Sequence, residues 1–249
     1  MIDQLAMYYW PFLRFSALLL ASPVFSSATI NVRVRVFLSV LISALVAPLL
    51  PAQDYPDPLS GVGVLMAARE VLIGLAMGFV MQLVFGAVVV AGQSVAMSMG
   101  LGFAMSIDPQ NGVQVPVVSQ FNMVLATLLF LGLDGHLFLL KAGADSYNLL
   151  PAGGAQPLVD MFGAVVNLGG QLFASALLLA LPTLTAILMI NVSFGVITRA
   201  APQLNIFAVG FPVTILAGFF FMFLALPAYL AHLQRFMSSG LQQMLQVLS

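Results

Sequence analysis

The chain has 249 residues, of which 61% are hydrophobic and only 6% are charged, and its mean hydropathy is +1.10. Soluble domains carry about 25% charged residues, so this composition excludes a soluble globular fold and indicates an integral membrane protein. The formal net charge of −1 offers no basic surface for nucleic acid, and the absence of cysteine excludes disulfides and thiolate chemistry.

Six apolar segments are predicted in chain order: 5–25, 32–50, 61–92, 116–140, 161–198 and 205–233. About 20 apolar residues suffice to cross a bilayer core of about 30 Å, so the third and fifth segments are too long for simple spans. Pro11 interrupts the first segment, and Pro182 lies within the fifth. We therefore predict an all-α integral membrane fold of long, kinked helical hairpins that pack against partner subunits rather than form a conventional stand-alone bundle.

Two of the long segments carry a stripe of small and amide residues at four-residue spacing. The stripes are Gly74, Gly78, Gln82 and Gly86 in the third segment, and Gly163, Asn167, Gln171 and Ser175 in the fifth. Residues four apart share a helix face, small residues let helices approach closely, and amides hydrogen-bond across the gap. The stripes predict protein neighbours rather than lipid, and leave open whether those neighbours belong to this chain or to others.

Few residues are candidates for chemistry, and the sequence has no HExxH, GxSxG or phosphate-binding P-loop motif. Asp134 and His136 are the one closely spaced pair of an acid and a histidine, and the stretch "LDGHL" around them predicts a helix-end turn. Arg69 and Glu70 lie near the start of the third segment. An ionisable residue in a membrane helix suggests function by default, but both are close enough to the segment start to be expected at the interface.

The stretch "SVAMSMGLGFAMSIDPQNG" (94–112) resembles neither a membrane helix nor a polar loop. Methionine seals irregular gaps, glycine permits sharp reversals, and Asp108-Pro109 biases the chain into a turn. Non-helical backbone at membrane depth is tolerated only where protein or a water-filled cavity surrounds it. The composition therefore fits a plug in a protein-lined pore, and equally a re-entrant loop that fills the core of this chain.

Three stretches resemble the FliR family of flagellar biosynthesis proteins: "MSMGLGFAMSIDP", "FLGLDGHLFLLKAGADSYNLLPAG" and "GVITRAAPQLNIFAVGFPVTILAGFFF". The resemblance covers essentially the whole chain, and "APQLNIFAVGFP" (201–212) is its most specific part. The family has counterparts in injectisome type III secretion systems, and the flagellar interpretation rests on overall likeness.

The resemblance implies a structural and gating subunit of the flagellar type III protein-export channel, which is not an enzyme and uses no cofactor and no metal. It implies FliP-like and FliQ-like membrane proteins as partners in a hetero-oligomeric export gate, an FlhB-like export switch, and unfolded flagellar proteins as cargo. The expected location is the bacterial inner membrane at the flagellar basal body. Residues 1–249 would form a single export-gate membrane domain, with 93–115 as an apolar plug loop rich in methionine and glycine.

In that family the loop after the third long segment closes the pore, and it corresponds here to 101–114. The resemblance gives Phe103, Met105 and Ile107, together with Met99, as plugging side chains. It gives Gly100 and Gly102 as hinges, with Asp108 and Pro109 fixing the return of the chain.

Two functions of other classes remain alternatives. A small-solute or ion transporter would use Glu70 or Asp134 within the membrane. An intramembrane enzyme would use Asp134 and His136, but the sequence offers it no nucleophile and no ligand set.

Overall fold

The computed structural model describes residues 2–27, 30–50, 57–58, 60–102, 104–107, 114–152, 159–200 and 206–248. Within these ranges the chain is almost entirely helical, which confirms the predicted all-α class. The helices are α1 (Ile2–Ala21), α2 (Val32–Val46), α3 (Gly61–Ser98), α4 (Val117–Gly132), α5 (Gly135–Leu149), α6 (Val159–Ala200) and α7 (Ile206–Gln246). Two short strands, β1 (Met105–Ile107) and β2 (Gln114–Pro116), lie between α3 and α4.

Side-chain caps set the starts of α2 and α3. Asn31 Oδ1 accepts a hydrogen bond of 2.9 Å from the backbone N–H of Arg33, and Ser60 Oγ accepts one of 3.0 Å from Gly63. Each cap satisfies one of the backbone N–H groups that have no partner in the first turn of a helix. The starts of both helices are therefore encoded locally, and they agree with the predicted segment starts.

Prolines do not end the helices in which they lie. Pro11 is inside α1, Pro182 is inside α6, and Pro212 and Pro227 are inside α7. The predicted interruption of the first segment at Pro11 is thus wrong. Proline is tolerated in membrane helices because neighbouring helices and local adjustment satisfy the freed backbone groups, and Pro11 is buried against such neighbours.

The predicted fourth segment, 116–140, is not one helix. It covers α4 and the first part of α5, and these two helices are bent by 62° relative to each other. Asp134 at the junction has a φ of 54°, which is left-handed, and a Cβ on Gly135 would collide with the ring of Phe130. The predicted turn at "LDGHL" is therefore confirmed, whereas the continuous segment through it is wrong.

The central helix of the fold is α3, which packs against α1, α4, α6 and α7. Its buried side chains include Met77, Met81 and Phe85, and the ring of Phe85 meets that of Phe130 edge to face at 5.7 Å. In the described residues four helices are long and apolar enough to cross a membrane, and the bent pair of α4 and α5 would make a fifth span. Most of α6 and α7 is exposed, in contrast to α3.

The small-residue stripe of α3 contacts helices of the same chain. A Cβ on Gly74 would collide with the backbone oxygen of Arg14 in α1, and one on Gly78 would lie 2.8 Å from the backbone oxygen of Leu18. Farther along, a Cβ on Gly86 would lie 3.2 Å from Leu172 Cδ1 in α6. These three glycines therefore serve packing within one bundle, which was one of the two alternatives.

Gly78→Leu is expected to separate α1 from α3 and to lower the free energy of unfolding by about 3 kcal/mol or more. The neighbouring Leu18 backbone cannot move aside as a flexible side chain could. Thermal unfolding of the purified chain in detergent measures the effect. Gly170→Leu is the matched control, because Gly170 lies inside α6 with no atom within 4 Å of its Cβ position. Equal stability of the two variants would contradict the close α1–α3 contact.

Candidate gate segment

Helix α3 ends in a glycine turn that starts the candidate gate segment, defined here as residues 99–116. The N–H of Leu101 donates to Ala96 O at 2.8 Å, and the N–H of Gly100 donates to Met97 O at 3.1 Å. This pair of bonds is the Schellman motif, and Gly100 holds its left-handed position with a φ of 78°. Gly100, predicted as a hinge, is therefore where the backbone reverses.

The predicted loop begins too early, because 93–98 are still helical. Val95 and Ala96 are buried in the core, so the apolar face of α3 continues past its predicted end at Gly92. Ser94 and Ser98 bind the carbonyls of Val90 and Ser94 at 2.8 and 2.9 Å, respectively. Such back-bonding satisfies a serine hydroxyl inside an apolar helix.

The described part of the segment beyond Gly100 is a short antiparallel hairpin. Strands β1 and β2 pair with Met105 opposite Pro116, and the N–H of Val117 donates to Ala104 O at 3.0 Å. Gly102, the second predicted hinge, lies against α3, since a Cβ there would be 2.6 Å from Met97 Sδ. The two ends of the hairpin are thus held side by side between the C-terminal end of α3 and the N-terminal end of α4.

The returning end is clamped onto α3. A Cβ on Gly92 would lie 2.5 Å from Ser119 Cα, and Ser119 Oγ donates to Val89 O at 3.1 Å. Val118 is also buried. The start of α4 is therefore fixed against α3.

The predicted plugging side chains do not share one environment. Met99 is fully buried and contacts α7, so it anchors the segment in this chain. Met105 is 46% exposed although it is apolar, which suits a side chain that meets another surface. The backbone of Ile107 lies in β1. Phe103, Asp108 and Pro109 lie outside the described residues.

Glu70 is not at the interface, which corrects the prediction for that residue. Arg14 of α1 and Glu70 of α3 are both completely buried and form a two-pronged ion pair, with Nε–Oε2 at 2.7 Å and Nη2–Oε1 at 2.9 Å. Arg14 also donates to Ser146 Oγ and to Leu150 O, each at 2.8 Å. Tyr147 donates to Glu70 Oε2 at 3.0 Å, and its ring lies 3.7 Å below the guanidinium.

This network joins α1, α3 and α5, and its polar atoms form hydrogen bonds with one another. Glu70 accepts three hydrogen bonds, and Arg14 donates four. A carboxylate bound in this way is unsuited to take up and release an ion. Arg14 was not singled out from the sequence, although a lone arginine inside an apolar segment is the same signal that draws attention to Glu70.

Asp134 and His136, which the transporter and enzyme alternatives would use, do not lie in the gate segment. Asp134 is exposed at the bend between α4 and α5, and His136 is half-buried in the first turn of α5. Among the described residues no group of three or more histidine, cysteine, aspartate or glutamate side chains could hold a metal ion.

The stripe of α6 has fewer neighbours than that of α3. Gly163 and Asn167 are exposed, and no atom lies within 4 Å of a Cβ built on Gly163. Gln171 accepts a hydrogen bond of 3.0 Å from Gln243 Nε2 of α7, and Ser175 is half-buried. Half of this stripe, Gly163 and Asn167, therefore remains exposed in the single chain.

Long apolar helices around a central helix, with a broken apolar segment between two of them, define an all-α integral membrane protein. The sequence model of a family described as bacterial export proteins, family 1, matches residues 5–240. The chain therefore belongs to this family of export proteins, and the relatives described next place it in the FliR family of flagellar biosynthesis proteins, which are export components of the bacterial inner membrane.

Individual relatives agree with this assignment. A flagellar biosynthetic protein FliR from Pectobacterium carotovorum is 42% identical over 228 residues, which cover 91% of this chain and 87% of the relative. The protein of that name from Escherichia coli K12 is 38% identical over 91% of this chain and 86% of its own length. The one from Bacillus subtilis is 26% identical over 100% of this chain and 96% of its own length.

Proposed function

We propose that this chain is a structural and gating subunit of the flagellar type III protein-export channel, in which it lines part of the pore that unfolded flagellar subunits cross. The observation that carries the proposal is the gate segment. A non-helical apolar stretch leaves α3 at Gly100, exposes Met105 and returns to a clamped α4. Such backbone at membrane depth needs a surrounding protein or a water-filled cavity, and a pore supplies both.

The exposed surface of α6 and α7 supports assembly with other chains. With 42 residues, α6 is about 60 Å long, which is twice the thickness of a bilayer core. Lipid alone therefore cannot cover its apolar face, and the open positions at Gly163 and Asn167 suit a closely packed helix. We assign this face to FliP-like and FliQ-like subunits in a hetero-oligomeric gate at the flagellar basal body, with an FlhB-like export switch as a further partner.

In this proposal residues 1–249 act as one membrane domain without catalysis, and the gate segment takes the place of an active site. The transporter alternative would use Glu70 or Asp134 in an ion path, but Glu70 is enclosed by Arg14 and Tyr147, and Asp134 is exposed at the bend between α4 and α5. The intramembrane enzyme alternative has no observation in its favour. We assign the plugging role to Phe103, Met105 and Ile107, the hinge role to Gly100 and Gly102, and the return of the chain to Asp108-Pro109.

Met105→Asp is expected to leave the complex assembled and to raise the passage of ions through it about tenfold. Met105 is partly exposed, so a carboxylate there meets no steric barrier in the chain, but it draws water into an apolar constriction. The measurement is the decay of membrane potential in cells that carry the complete export complex, together with the yield of the complex in mild detergent. Met105→Leu is the control and should keep the seal. An aspartate variant as tight as the parent would remove Met105 from the gate.

A further inference from the structure

A small cavity of about 20 Å³ lies where α3, α4, α6 and α7 meet. Most of its wall is apolar, but three of the helices each contribute one polar side chain: Asn122 from α4, Thr183 from α6 and Tyr229 from α7. Asn122 is only 6% exposed and Thr183 only 5%. We call these three residues the polar trio.

The polar trio lies inside apolar helices. Thr183 and Tyr229 are near the middle of α6 and α7, both of which are long and apolar enough to cross a membrane. At that depth no bulk water is available, so a polar side chain has to find its hydrogen bonds inside the protein. Three polar side chains that line one cavity from three different helices therefore indicate a partner that they share.

The hydroxyl of Tyr229 requires such a partner. Tyr229 Oη is shielded from solvent, and no described residue forms a hydrogen bond with it. A phenol hydroxyl both donates and accepts hydrogen bonds, and leaving it unpaired in the interior costs free energy comparable to a lost hydrogen bond. Asn122 and Thr183 line the same cavity, but neither bonds to Tyr229 Oη directly.

The size and the lining of the cavity favour water as the occupant. A cavity of about 10–15 Å³ is large enough for one water molecule, which needs about two to four polar partners, and this cavity meets both conditions. No charged residue is among the described residues that line it, so an ion would lack a counter-charge. An apolar occupant would leave the amide and the hydroxyls unpaired.

We propose that the polar trio binds one ordered water molecule, which bridges α4, α6 and α7. Water donates two hydrogen bonds and accepts two, so it can bond to Asn122, Thr183 and Tyr229 at the same time. The bridge is a polar joint that attaches the two long helices α6 and α7 to α4.

Apolar side chains separate this water site from the surface. Phe121, Met222 and Leu226 line the small cavity and also line a groove of about 350 Å³ between α4 and α7, whose other lining residues are all apolar. These three side chains form the wall between the two spaces. The groove offers no polar partner, so an ordered water is expected in the small cavity and not in the groove.

Tyr229→Phe gives opposite results with and without the bound water. If the hydroxyl is paired with water, its removal loses a hydrogen bond, and the Tm of the purified chain in detergent should fall by about 2–4 °C. If the hydroxyl is unpaired, its removal relieves the cost of burying it. An unchanged or higher Tm would therefore overturn the proposal. Tyr8→Phe is the matched control and should leave the Tm unchanged, because Tyr8 is 43% exposed.

Thr183→Val combined with Tyr229→Phe tests whether the two residues share one water. After either substitution the water is held by fewer partners, so the second substitution should cost less, and the double variant should lose less Tm than the sum of the single losses. Additive losses would overturn the shared site. Thr185→Val is the control for α6, because its exposed hydroxyl bonds to Leu181 O, and its effect should add to that of Tyr229→Phe.

A crystal or cryo-EM map that resolves ordered solvent observes the site directly. We expect a solvent peak about 2.8 Å from Tyr229 Oη, within hydrogen-bond reach of Asn122 and Thr183. A map in which Tyr229 Oη bonds directly to either residue, with no peak between them, would overturn the proposal.

Discussion

Replacement of Glu70 by alanine is expected to prevent accumulation of the folded chain, with a loss of about 3–5 kcal/mol in the free energy of unfolding. The substitution removes both oxygens that Arg14 binds at 2.7 and 2.9 Å, and the guanidinium remains in a site that is 0% exposed. Ser146 and Leu150 still accept from it, but neither carries a compensating charge. The yield of the chain in the membrane and its thermal unfolding in detergent measure the effect.

Removal of both charges is the decisive control. In Arg14→Met/Glu70→Met two apolar side chains of suitable length replace the ion pair, and most of the lost stability should return, as for other buried pairs. Export should return with it. An ion-transport role for Glu70 gives the opposite pattern, because Glu70→Ala would then assemble normally and the double variant would be inactive. Arg69→Gln, next to the pair but half-exposed, should have little effect on stability.

The helices could be predicted because their signal is local. The lengths of the apolar runs and the caps at Asn31 and Ser60 depend on nearby residues only, and α2, α3 and α6 begin close to their predicted starts. The break between α4 and α5 was harder to place. Its turn at Asp134-Gly135 is visible in the sequence, but the apolar residues on both sides read as one run.

The contacts between helices could not be predicted from the sequence, because they depend on which helices pack against each other. The glycine spacing on α3 indicates a close approach, but it does not say that Gly74 and Gly78 face α1 of the same chain. Arg14 and Glu70 are 56 positions apart, and their pairing requires α1 to lie on α3.

The irregular, apolar character of the gate segment was predicted from the sequence, but its secondary structure was predicted only in part. Glycine, methionine and proline indicate an irregular apolar stretch between two helices, and the Schellman turn places the reversal of the chain at Gly100, where the hinge stays a prediction. The prediction included 93–98 in the loop because the glycines and Asp108-Pro109 that follow mark an irregular stretch, whereas the serines in 93–98 bond within the helix. The hairpin was missed because strands of three residues give no usable alternation.

Removal of the hairpin should open the channel without dismantling it. Because Val117 N–H donates to Ala104 O at 3.0 Å, the two ends lie side by side, and an Asn-Gly turn can replace residues 105–116. The helices should keep their places, since Gly92 and Ser119 remain in contact. We expect the ion leak in cells with the complete complex to rise at least about tenfold, because no apolar constriction then opposes hydrated ions.

A shorter replacement shows which part of the hairpin forms the seal. Ile107 pairs with Gln114, so an Asn-Gly turn in place of residues 108–113 preserves the register and keeps Met105 and Ile107. This variant should remain tight if the strands carry the plugging side chains. A leak of equal size in both variants would instead assign the seal to 108–113. A tight seal in the longer deletion, with the complex intact, would mean that the barrier to ions lies in another part of the assembly.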